Sequence, residues 1–429
     1  MPEPSKILHR QLCIAADIWE RIATDDGPAD RFLANFFYQF RKKLGARDRR
    51  LLAEITYAAL RHRTFLQLWA KRFESDRDPL LFVLLAAAAE SIITPEDFLR
   101  EIARFGGEAQ SARLYSHLKD RILPANIQCK SPAEELAFKY SFPVWLVERW
   151  GKLFTAAELP IILDSLNQRP PLSIRVNPVK MTRDELLAQL REKKFTVAPA
   201  PKSPLGILFE SRVALFQTEE FMRGLFEVMD EGSQLAGLAV QAKPGELIWD
   251  VCAGGGGKAL LMAGMMQNKG RIIATDIRMY KLKDLKKRAS RAGIFNIFPA
   301  DLNRMDEIKS VREGFDKILV DAPCSGTGTL RRNPDAKWKL SPEALEFHHK
   351  DQVAIVESAL PRLKPGGSLF YVTCSLDPME NEESLKEILA KHPELTPVSD
   401  GPFKDGFFRL WPHKDNTDGF FVAALKKSS

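Results

Sequence analysis

The sequence predicts a multidomain protein in which a helical N-terminal region precedes a doubly wound α/β domain. Its 429 residues exceed the size at which a single hydrophobic core stops growing, so we expect two to four domains. Up to about residue 170, apolar residues recur at the three- and four-residue spacing of helices. From about residue 230, apolar strands alternate with helix-length segments, which is typical of parallel β-α-β units.

The N-terminal part is predicted to be helical and basic. Helical patterns cover residues 7–22, 29–44 and 48–60, with Gly45 ending one helix and Asp48 beginning the next. Residues 1–75 hold 14 Lys and Arg against 9 Asp and Glu, so they carry most of the net charge of +7. These charges form either solvated helix faces or a face that binds RNA. The basic residues concerned are Arg41, Lys42, Lys43, Arg47, Arg49, Arg50, Arg61, Arg63, Lys71 and Arg72.

Composition excludes several classes of protein. Hydrophobic residues make up 45% and charged residues 28%, which rules out a disordered or collagen-like chain. The five cysteines form no CxxC pair or zinc-like cluster, so we expect a reducing, cytoplasmic environment and no metal site. The first residues lack the apolar segment of a signal peptide. The apolar run at 80–89 is too short to span a bilayer and is predicted to be a buried helix.

Between these regions the sequence predicts a small α+β unit. Short strands are expected at residues 173–176, 195–197 and 207–210, and a helix at 182–193. Near the C-terminus, the strand patterns GFFRLWP and GFFVAALK are separated by only a hairpin-length connection. We therefore expect an antiparallel pair at one edge of the large sheet.

A glycine-rich turn and the ends of two strands predict a nucleoside site. The segment DVCAGGGGK, from Asp250 to Lys258, follows an apolar strand and precedes a helix, where a backbone without side chains can approach a ligand closely. It is not a Walker loop, because neither Ser nor Thr follows the lysine. Asp276 and Asp301 end the next two strands, where carboxylates can accept from ribose hydroxyls and from an adenine amino group. The predicted contacts suit a ribose and an adenine, and no motif that binds phosphates accompanies them. This favours S-adenosylmethionine over NAD as the ligand.

Two further strands are each followed by a cysteine at the same edge of the sheet. The motif DAPCSG holds Cys324 and the motif YVTCS holds Cys374. A single cysteine is commonly a small buried hydrophobic residue, and we interpret Cys13 and Cys129 in that way and Cys252 mainly so. Cys324 and Cys374 both follow strands at the ligand-binding edge of the sheet, and this shared position favours a chemical role for them.

These motifs resemble those of the Sun/Nop family of RNA cytosine-5 methyltransferases, and most closely its bacterial RsmB type, which acts on small-subunit ribosomal RNA. The matching segments are DVCAGGGGK, ATDI, PAD, DAPCSG, YVTCS with PMENEE, and PHKDNTDGFFVAALKK. The segment ARDRRLLAEITYAALRHR resembles the NusB-like RNA-binding domain of that type. The family usually has Pro or Ala where this chain has Gly255.

The resemblance implies three domains. Residues 1–130 would form a helical NusB-like domain that binds RNA, and residues 131–225 a small α+β RNA-binding subdomain. Residues 226–429 would form a Rossmann-like methyltransferase domain that depends on S-adenosylmethionine and has a seven-stranded sheet.

The resemblance also implies a covalent mechanism in which each cysteine has its own role. The Cys374 thiolate attacks carbon 6 of a cytosine, so that carbon 5 can accept the methyl group. Cys324 then helps to release the product, whereas in the DNA enzymes the cysteine of that motif is the attacker. Asp321 is expected to hydrogen-bond the polar edge of the base, and Lys258 to contact the base as well.

The cofactor and RNA contacts follow from the same resemblance. Asp276 is assigned to the ribose of S-adenosylmethionine and Asp301 to its adenine, while Asp321 lies near both cofactor and base. The turn expected around the methionine part comprises Cys252, Ala253, Gly254, Gly255, Gly256, Gly257 and Lys258. Three arginines are interpreted either as contacts to RNA phosphates or as surface charge: Arg175, Arg331 and Arg332.

Three alternatives are weighed against a monomeric enzyme acting on small-subunit ribosomal RNA. The same chemistry on transfer RNA or large-subunit RNA stays open, although the NusB-like segment favours the small subunit. A non-catalytic RNA-binding factor of ribosome assembly is disfavoured, because the residues expected for catalysis are intact: Cys324, Cys374, Asp321 and Lys258. A small-molecule methyltransferase explains neither the basic helical region nor the second cysteine.

Overall fold

The computed structural model contains two compact units, which are described separately. The first comprises Met1–Gln168 with Leu330–Lys339, and the second comprises Arg169–Thr329 with Leu340–Ser429. The boundary after Gln168 lies beyond the boundary predicted at residue 130, because three more helices belong to the first unit. The structure describes residues 7–25, 27–73, 76–106, 111–211, 213–308 and 311–429.

The first unit is built from helices, as predicted. Helix α5 is its centre: the residues from Leu81 to Ala88 are all buried, and α1, α3, α4, α6 and α7 contact it. Trp19 of α1 stacks on Phe82 with ring centroids 4.5 Å apart. The helices are α1 (His9–Ala23), α2 (Ala29–Gln39), α3 (Ala46–Arg61), α4 (Arg63–Ala70), α5 (Pro79–Ala89), α6 (Pro95–Ile102), α7 (Ser111–Lys119), α8 (Pro132–Tyr140), α9 (Val144–Trp150) and α10 (Glu158–Asn167).

The connection between α2 and α3 differs from the prediction. Helix α2 ends at Gln39 rather than at Gly45, and Gly45 is the N-cap residue of α3. The Asp48 carboxylate, one turn into α3, accepts a hydrogen bond from the Gly45 N–H at 3.3 Å. Asp48 therefore stabilises the start of α3 from inside the helix, where a carboxylate satisfies a backbone donor left unpaired by the helix.

The segment 330–339, which follows the DAPCSG motif, is part of the helical unit. Lys337 is 1% exposed, and its Nζ donates to the carbonyl of Arg61 at 2.8 Å. Trp338 donates from Nε1 to the Leu60 carbonyl at 2.7 Å. These hydrogen bonds join residues more than 270 positions apart, so local sequence patterns do not predict them.

The second unit begins with a small antiparallel sheet in the order β2-β3-β1-β4. This confirms the predicted α+β character, although β4 was not predicted. Helix α11 starts with a capping box, in which Thr182 Oγ1 accepts from Glu185 N and the Glu185 carboxylate accepts from Thr182 N. The elements are β1 (Leu172–Val176), α11 (Arg183–Glu192), β2 (Val197–Pro199), β3 (Gly206–Phe209), α12 (Glu219–Met222) and β4 (Phe226–Val228).

The large sheet has the order β10-β12-β9-β8-β5-β6-β7 and is therefore seven positions wide, as predicted. An eighth strand, β11, pairs with β12 on the same edge as β10, because the eight residues of β12 are long enough to pair with both in succession. The predicted antiparallel pair at one edge is thus confirmed. The strands are β5 (Leu247–Asp250), β6 (Arg271–Ala274), β7 (Ile297–Pro299), β8 (Phe315–Asp321), β9 (Leu363–Thr373), β10 (Leu395–Pro397), β11 (Phe407–Leu410) and β12 (Phe420–Lys427).

Helices cover both faces of this sheet, so the fold is doubly wound. Alternate strand residues such as Ile248 and Trp249 belong to two different buried clusters, one packed with α14 and α15 and the other with α16 and α17. Strand β5 lies between β6 and β8, where the strand order reverses, and open α/β sheets bind ligands at that point. The helices are α13 (Glu231–Leu238), α14 (Gly257–Met265), α15 (Met279–Ala292), α16 (Pro342–Ala359), α17 (Glu382–Lys391) and α18 (Pro412–Asp415).

Candidate active site

A cavity of about 510 Å³ opens at the carboxyl ends of β5, β6, β8 and β9. It lies where the sequence predicted the ligand site, and it brings together most of the predicted residues. Gly256 and Asp301 are the two predicted cofactor residues that do not line it. The predicted residues that do are Cys252, Ala253, Gly254, Gly255, Gly257, Lys258, Asp276, Asp321, Cys324 and Cys374.

The glycine-rich turn needs glycine for two different reasons. Gly254 and Gly256 have φ angles of +55° and +81°, which residues with a Cβ rarely adopt. A Cβ on Gly256 would also lie 2.6 Å from Cγ of Leu285 on α15. The turn can therefore pass close to α15, and α14 begins directly after it at Gly257.

Asp276 is held in place by the turn. Its Oδ2 accepts from the Gly254 N–H at 2.9 Å and its Oδ1 from the Arg278 N–H at 2.7 Å. Two apolar residues that the sequence patterns did not indicate, Ile277 and Leu302, also line the cavity and are 87% and 43% exposed. Exposed apolar side chains beside a carboxylate suit an adenosine, whose base is flat and whose ribose donates hydrogen bonds.

Asp301 lies outside the cavity lining. Its side chain accepts from the Asn303 N–H at 3.0 Å and so caps the short 3₁₀ helix Leu302–Glu307. Asp301 therefore has a capping role of the kind that is common for an acidic residue at the end of a strand. Its assignment to adenine stays a prediction.

A buried carboxyl that had no assigned role lies at the end of β5. Asp250 is 1% exposed, and no group among the described residues donates a hydrogen bond to either of its oxygens. Burial, together with the negative charges of Asp321 and Asp276, raises the pKa of Asp250 to about 8. Such a group is stabilised by a cation, and Lys258 provides only part of that stabilisation.

Lys258 and Asp321 form an ion pair at the cavity wall. Lys258 Nζ lies 2.6 Å from Asp321 Oδ2, and the lysine is 8% exposed whereas the carboxylate is about one third exposed. Lys258 Nζ also lies 5.2 Å from the centre of the Phe420 ring. The lysine therefore fixes and neutralises the carboxylate, which retains access to the cavity.

The two predicted catalytic cysteines are in contact. Their Sγ atoms lie 3.4 Å apart, because β8 and β9 are adjacent parallel strands and each cysteine follows its strand. The hydrogen bond with Cys374, burial, and the negative charges of Cys374 and Glu380 all raise the pKa of Cys324. Cys324 therefore keeps its proton at neutral pH, and it can donate a hydrogen bond to the other sulfur.

The remaining cysteines differ in environment. Burial and the neighbouring carboxylates raise the pKa of Cys252, which agrees with its interpretation as an inert packing residue. Cys129 is half-buried. Cys13 is exposed on α1 and lies 3.5 Å from His9 Nε2, so its interpretation as a buried residue is wrong.

The structure does not place the three predicted phosphate-binding arginines on an open surface. Arg175 is 2% exposed and faces the interior from β1, where its charge lies near Glu227 on β4. Arg331 is 3% exposed and Arg332 is half-buried, and both belong to the helical unit. In this conformation Arg175 and Arg331 are not accessible to RNA, so a phosphate contact by either is not supported.

Within the described residues, no group of three or more His, Cys, Asp or Glu could hold a metal ion. None of the helices in the described ranges has both the length and the apolar character needed to cross a bilayer.

Comparison with known proteins identifies the family. The model of the 16S rRNA methyltransferase RsmB/F family matches residues 237–426, and that of the ferredoxin-like domain of RsmF/B-like methyltransferases matches residues 142–215. The probable ribosomal RNA small subunit methyltransferase B of Bacillus subtilis is 30% identical over 418 residues, which cover 90% of this chain and 92% of the relative. The chain belongs to the RsmB/F methyltransferase family. A protein of the same description from Synechocystis sp. is 33% identical over 308 residues, 68% of each chain.

A solved structure has a similar fold over almost the whole chain. The crystal structure of PH0851 matches with a TM-score of 0.79 at 28% identity and covers 99% of this chain and 100% of that one. The predicted resemblance and the predicted combination of a helical and a Rossmann-like domain are thus confirmed.

S-adenosylmethionine is the cofactor of this methyltransferase, and the cavity fits it. The anchored Asp276 and the exposed Ile277 and Leu302 suit its adenosine part, and the glycine turn leaves room for its methionine part. Asp250 precedes the turn by two residues and does not line the cavity, but its carboxyl has no hydrogen-bond donor among the described residues, and the cofactor carries an ammonium group that can supply a cation.

Proposed function

We propose that this protein transfers the methyl group of S-adenosylmethionine to carbon 5 of a cytosine in small-subunit ribosomal RNA. The observation that carries the proposal is the pair of cysteines 3.4 Å apart in a cofactor-sized cavity. Methyl transfer to an oxygen or an amino group needs no thiol, whereas carbon 5 of cytosine must first be activated by a nucleophile. The Bacillus subtilis and Synechocystis relatives are both named small subunit methyltransferases.

In the proposed reaction, the Cys374 thiolate adds to carbon 6 of the cytosine and forms a carbon–sulfur bond. Carbon 5 then carries the electron pair and accepts the methyl group, which the bound cofactor supplies from its sulfonium. Once the Cys374 sulfur is bonded to carbon 6, it no longer raises the pKa of Cys324, and Cys324 loses its proton to water. The Cys324 thiolate then takes the proton from carbon 5, that electron pair re-forms the double bond between carbons 5 and 6, and the bond between carbon 6 and the Cys374 sulfur breaks. The contact between the two sulfurs supports a reaction that uses both, and the assignment of attack to Cys374 and of release to Cys324 follows the family resemblance.

The binding residues follow from their positions around the cavity. We assign the backbone of residues 252–258 to the methionine part, with its ammonium near Asp250. Asp276 binds the ribose, and the adenine lies against Ile277 and Leu302, with Asp301 nearby. Asp321, paired with Lys258, binds the polar edge of the cytosine, since its carboxylate reaches the cavity beside Cys324.

RNA binding is assigned to residues 1–130 and 131–225, with a basic cluster on the helical unit as the first contact. Several of the predicted basic residues lie close together around the connection between α2 and α3 and are exposed. Arg61 is not among them, because it is buried and paired with Glu90. We define the basic cluster as Arg41, Lys42, Lys43, Arg47 and Arg50.

The test is methylation of defined RNAs by the purified protein, read by bisulfite sequencing. We expect a single protected cytosine in small-subunit RNA, with none in transfer RNA or large-subunit RNA treated in parallel. A protected cytosine only in another RNA would move the substrate to that class. No protected cytosine in any of them, from a protein that binds the cofactor, would contradict the proposed chemistry.

A further inference from the structure

The segment PMENEE, which follows the second cysteine motif, contains a buried carboxylate. Glu380 ends the short 3₁₀ helix Pro378–Glu380 and is 0% exposed. Its Oε1 accepts from the backbone N–H of Ser325 at 2.7 Å and from Gln352 Nε2 at 3.2 Å. Its Oε2 accepts from the hydroxyl groups of Ser325 and Ser375. Four donors on one carboxylate satisfy its acceptor capacity, which is the condition for burying such a charge.

The donors show which parts of the chain this carboxylate joins. Ser325 directly follows Cys324, and Ser375 directly follows Cys374. One side chain therefore holds the two loops that carry the reactive sulfurs, although those loops are 50 residues apart.

Neighbouring residues extend this network on both sides. Gln352 Nε2, which donates to Glu380, also donates to the Pro323 carbonyl at 3.0 Å, just before Cys324. Asn381 donates from Nδ2 to the Ser375 carbonyl at 3.0 Å. The Tyr371 hydroxyl donates to Gln352 Oε1 at 2.8 Å and to the Glu380 carbonyl. The network ties both loops to the structured core at several points, and the Glu380 carboxylate is where they meet.

We propose that Glu380 is a positioning residue that holds the Cys324 and Cys374 sulfurs in register for attack and release. This rests on the proposed two-cysteine reaction. A nucleophile and a proton acceptor on separate loops must both reach one cytosine ring, and a misplacement of about 1 Å can cost about 100-fold in rate. A carboxylate suits this task because hydrogen bonds to an ionised acceptor are stronger than those between neutral groups.

Glu380 also acts on Cys324 through its charge. Its negative charge is one of the causes that raise the pKa of Cys324, after the hydrogen bond with Cys374, burial and the charge of Cys374. Replacing the carboxylate with an amide of the same shape should therefore lower the pKa of Cys324. A residue that only filled space would not have this effect.

The experiment compares Glu380→Gln with Glu383→Gln, a matched change at an exposed position in the same segment. Three quantities are measured: the single-turnover methylation rate, the cofactor dissociation constant, and the pH dependence of Cys324 alkylation by iodoacetamide, followed by mass spectrometry. For Glu380→Gln we expect the rate to fall by about 10- to 100-fold, the dissociation constant to stay within about twofold, and alkylation of Cys324 to begin at lower pH. Glu383→Gln should match the wild type in all three.

Two outcomes separate this inference from the proposed function. If the wild type methylates no RNA, the proposed function fails, yet the alkylation profile still tests the contact between Glu380 and Cys324. If Glu380→Gln and Glu383→Gln behave alike in rate and in alkylation, the positioning role is overturned. Should Glu380→Gln not fold, Ser325→Ala and Ser375→Ala remove one donor each. If Ser325→Ala and Ser375→Ala both methylate at the wild-type rate, the positioning role of Glu380 is likewise overturned.

Discussion

Arg288 on α15 donates from Nη1 to the carbonyl of Gly255 at 2.6 Å, and a Cβ at position 255 would lie 3.1 Å from that nitrogen. The same guanidinium bonds to Glu227 on β4 through Nε and Nη2. A side chain at position 255 would therefore meet the guanidinium closely, and the guanidinium would have to shift by a few tenths of an ångström.

Arg288→Ala is expected to weaken S-adenosylmethionine binding. Removing the guanidinium deprives the turn of a charge-assisted hydrogen bond, which is worth about 1.5–3 kcal/mol when intact. Gly255→Ala should have a smaller effect, since the flexible arginine can move by a few tenths of an ångström. Isothermal titration calorimetry of both variants and of the double variant measures the coupling.

In the Arg288→Ala background, Gly255→Ala should cost almost nothing further. Lys287→Ala, at an exposed position on the same helix, serves as the control and should bind like the wild type. Additive effects of the two substitutions would show that the contact does not couple them.

Asp250→Asn is expected to stabilise the cofactor-free protein increasingly as the pH rises. The folded pKa of about 8 lies above the ordinary value of 3.8, because of burial and of nearby carboxylates. Below about pH 4 the carboxyl is protonated in both the folded and the unfolded protein, and its contribution to stability is fully present. This contribution is lost progressively as the pH rises through 8, because the unfolded chain ionises first. Urea unfolding of both proteins at pH 5, 7 and 9 checks this.

The difference in unfolding free energy between Asp250→Asn and the wild type should grow from pH 5 to pH 7, and further towards pH 9. The same substitution should weaken cofactor binding if the carboxyl meets the ammonium group. A constant difference across this range would show that Asp250 is ionised in the folded protein as it is in the unfolded chain.

Sequence patterns predicted the site well where the fold itself brings residues together. Strand ends of a parallel sheet meet at one edge, so Asp276, Cys324 and Cys374 could be placed there from strand patterns alone. Glu380 lies in a motif that matches the family, but its role could not be predicted from it. Three of its four hydrogen-bond donors, on Ser325 and Gln352, come from distant segments of the chain.

Predictions failed where a partner distant in sequence changes the environment of a residue. Arg175 lies in a strand between the buried Ile174 and Val176, and Glu227, 52 positions away on the neighbouring strand, places a negative charge near it. Lys337 is buried for a similar reason, since its acceptors lie in the helical unit. Pairings of this kind leave no local pattern in the sequence.

Neutralising the basic cluster should weaken RNA binding and reduce its salt dependence. Each RNA phosphate that the variant no longer neutralises makes the slope of log K against log salt shallower by about 0.7–0.9. A variant with Gln at four of the five cluster positions, which are Arg41, Lys42, Lys43 and Arg47, tests this more cleanly than deletion of residues 1–130. Deletion would remove the partners of Lys337 and Trp338.

The control is Lys404→Gln with Lys426→Gln, two exposed changes in the second unit. These should leave the slope unchanged, and neither set of substitutions should alter cofactor affinity. An unchanged slope in the cluster variant would argue that its charges are merely solvated.

The most direct test of the two-cysteine reaction is a denaturing gel of Cys324→Ala after incubation with small-subunit RNA and S-adenosylmethionine. Cys374 can still attack and form the adduct, but the proton at carbon 5 has no acceptor, so a covalent protein–RNA band should accumulate. Cys374→Ala and the double variant should give no band and no methylation. A band from Cys374→Ala instead would exchange the two roles, and no band from any folded, RNA-binding variant would contradict the covalent reaction.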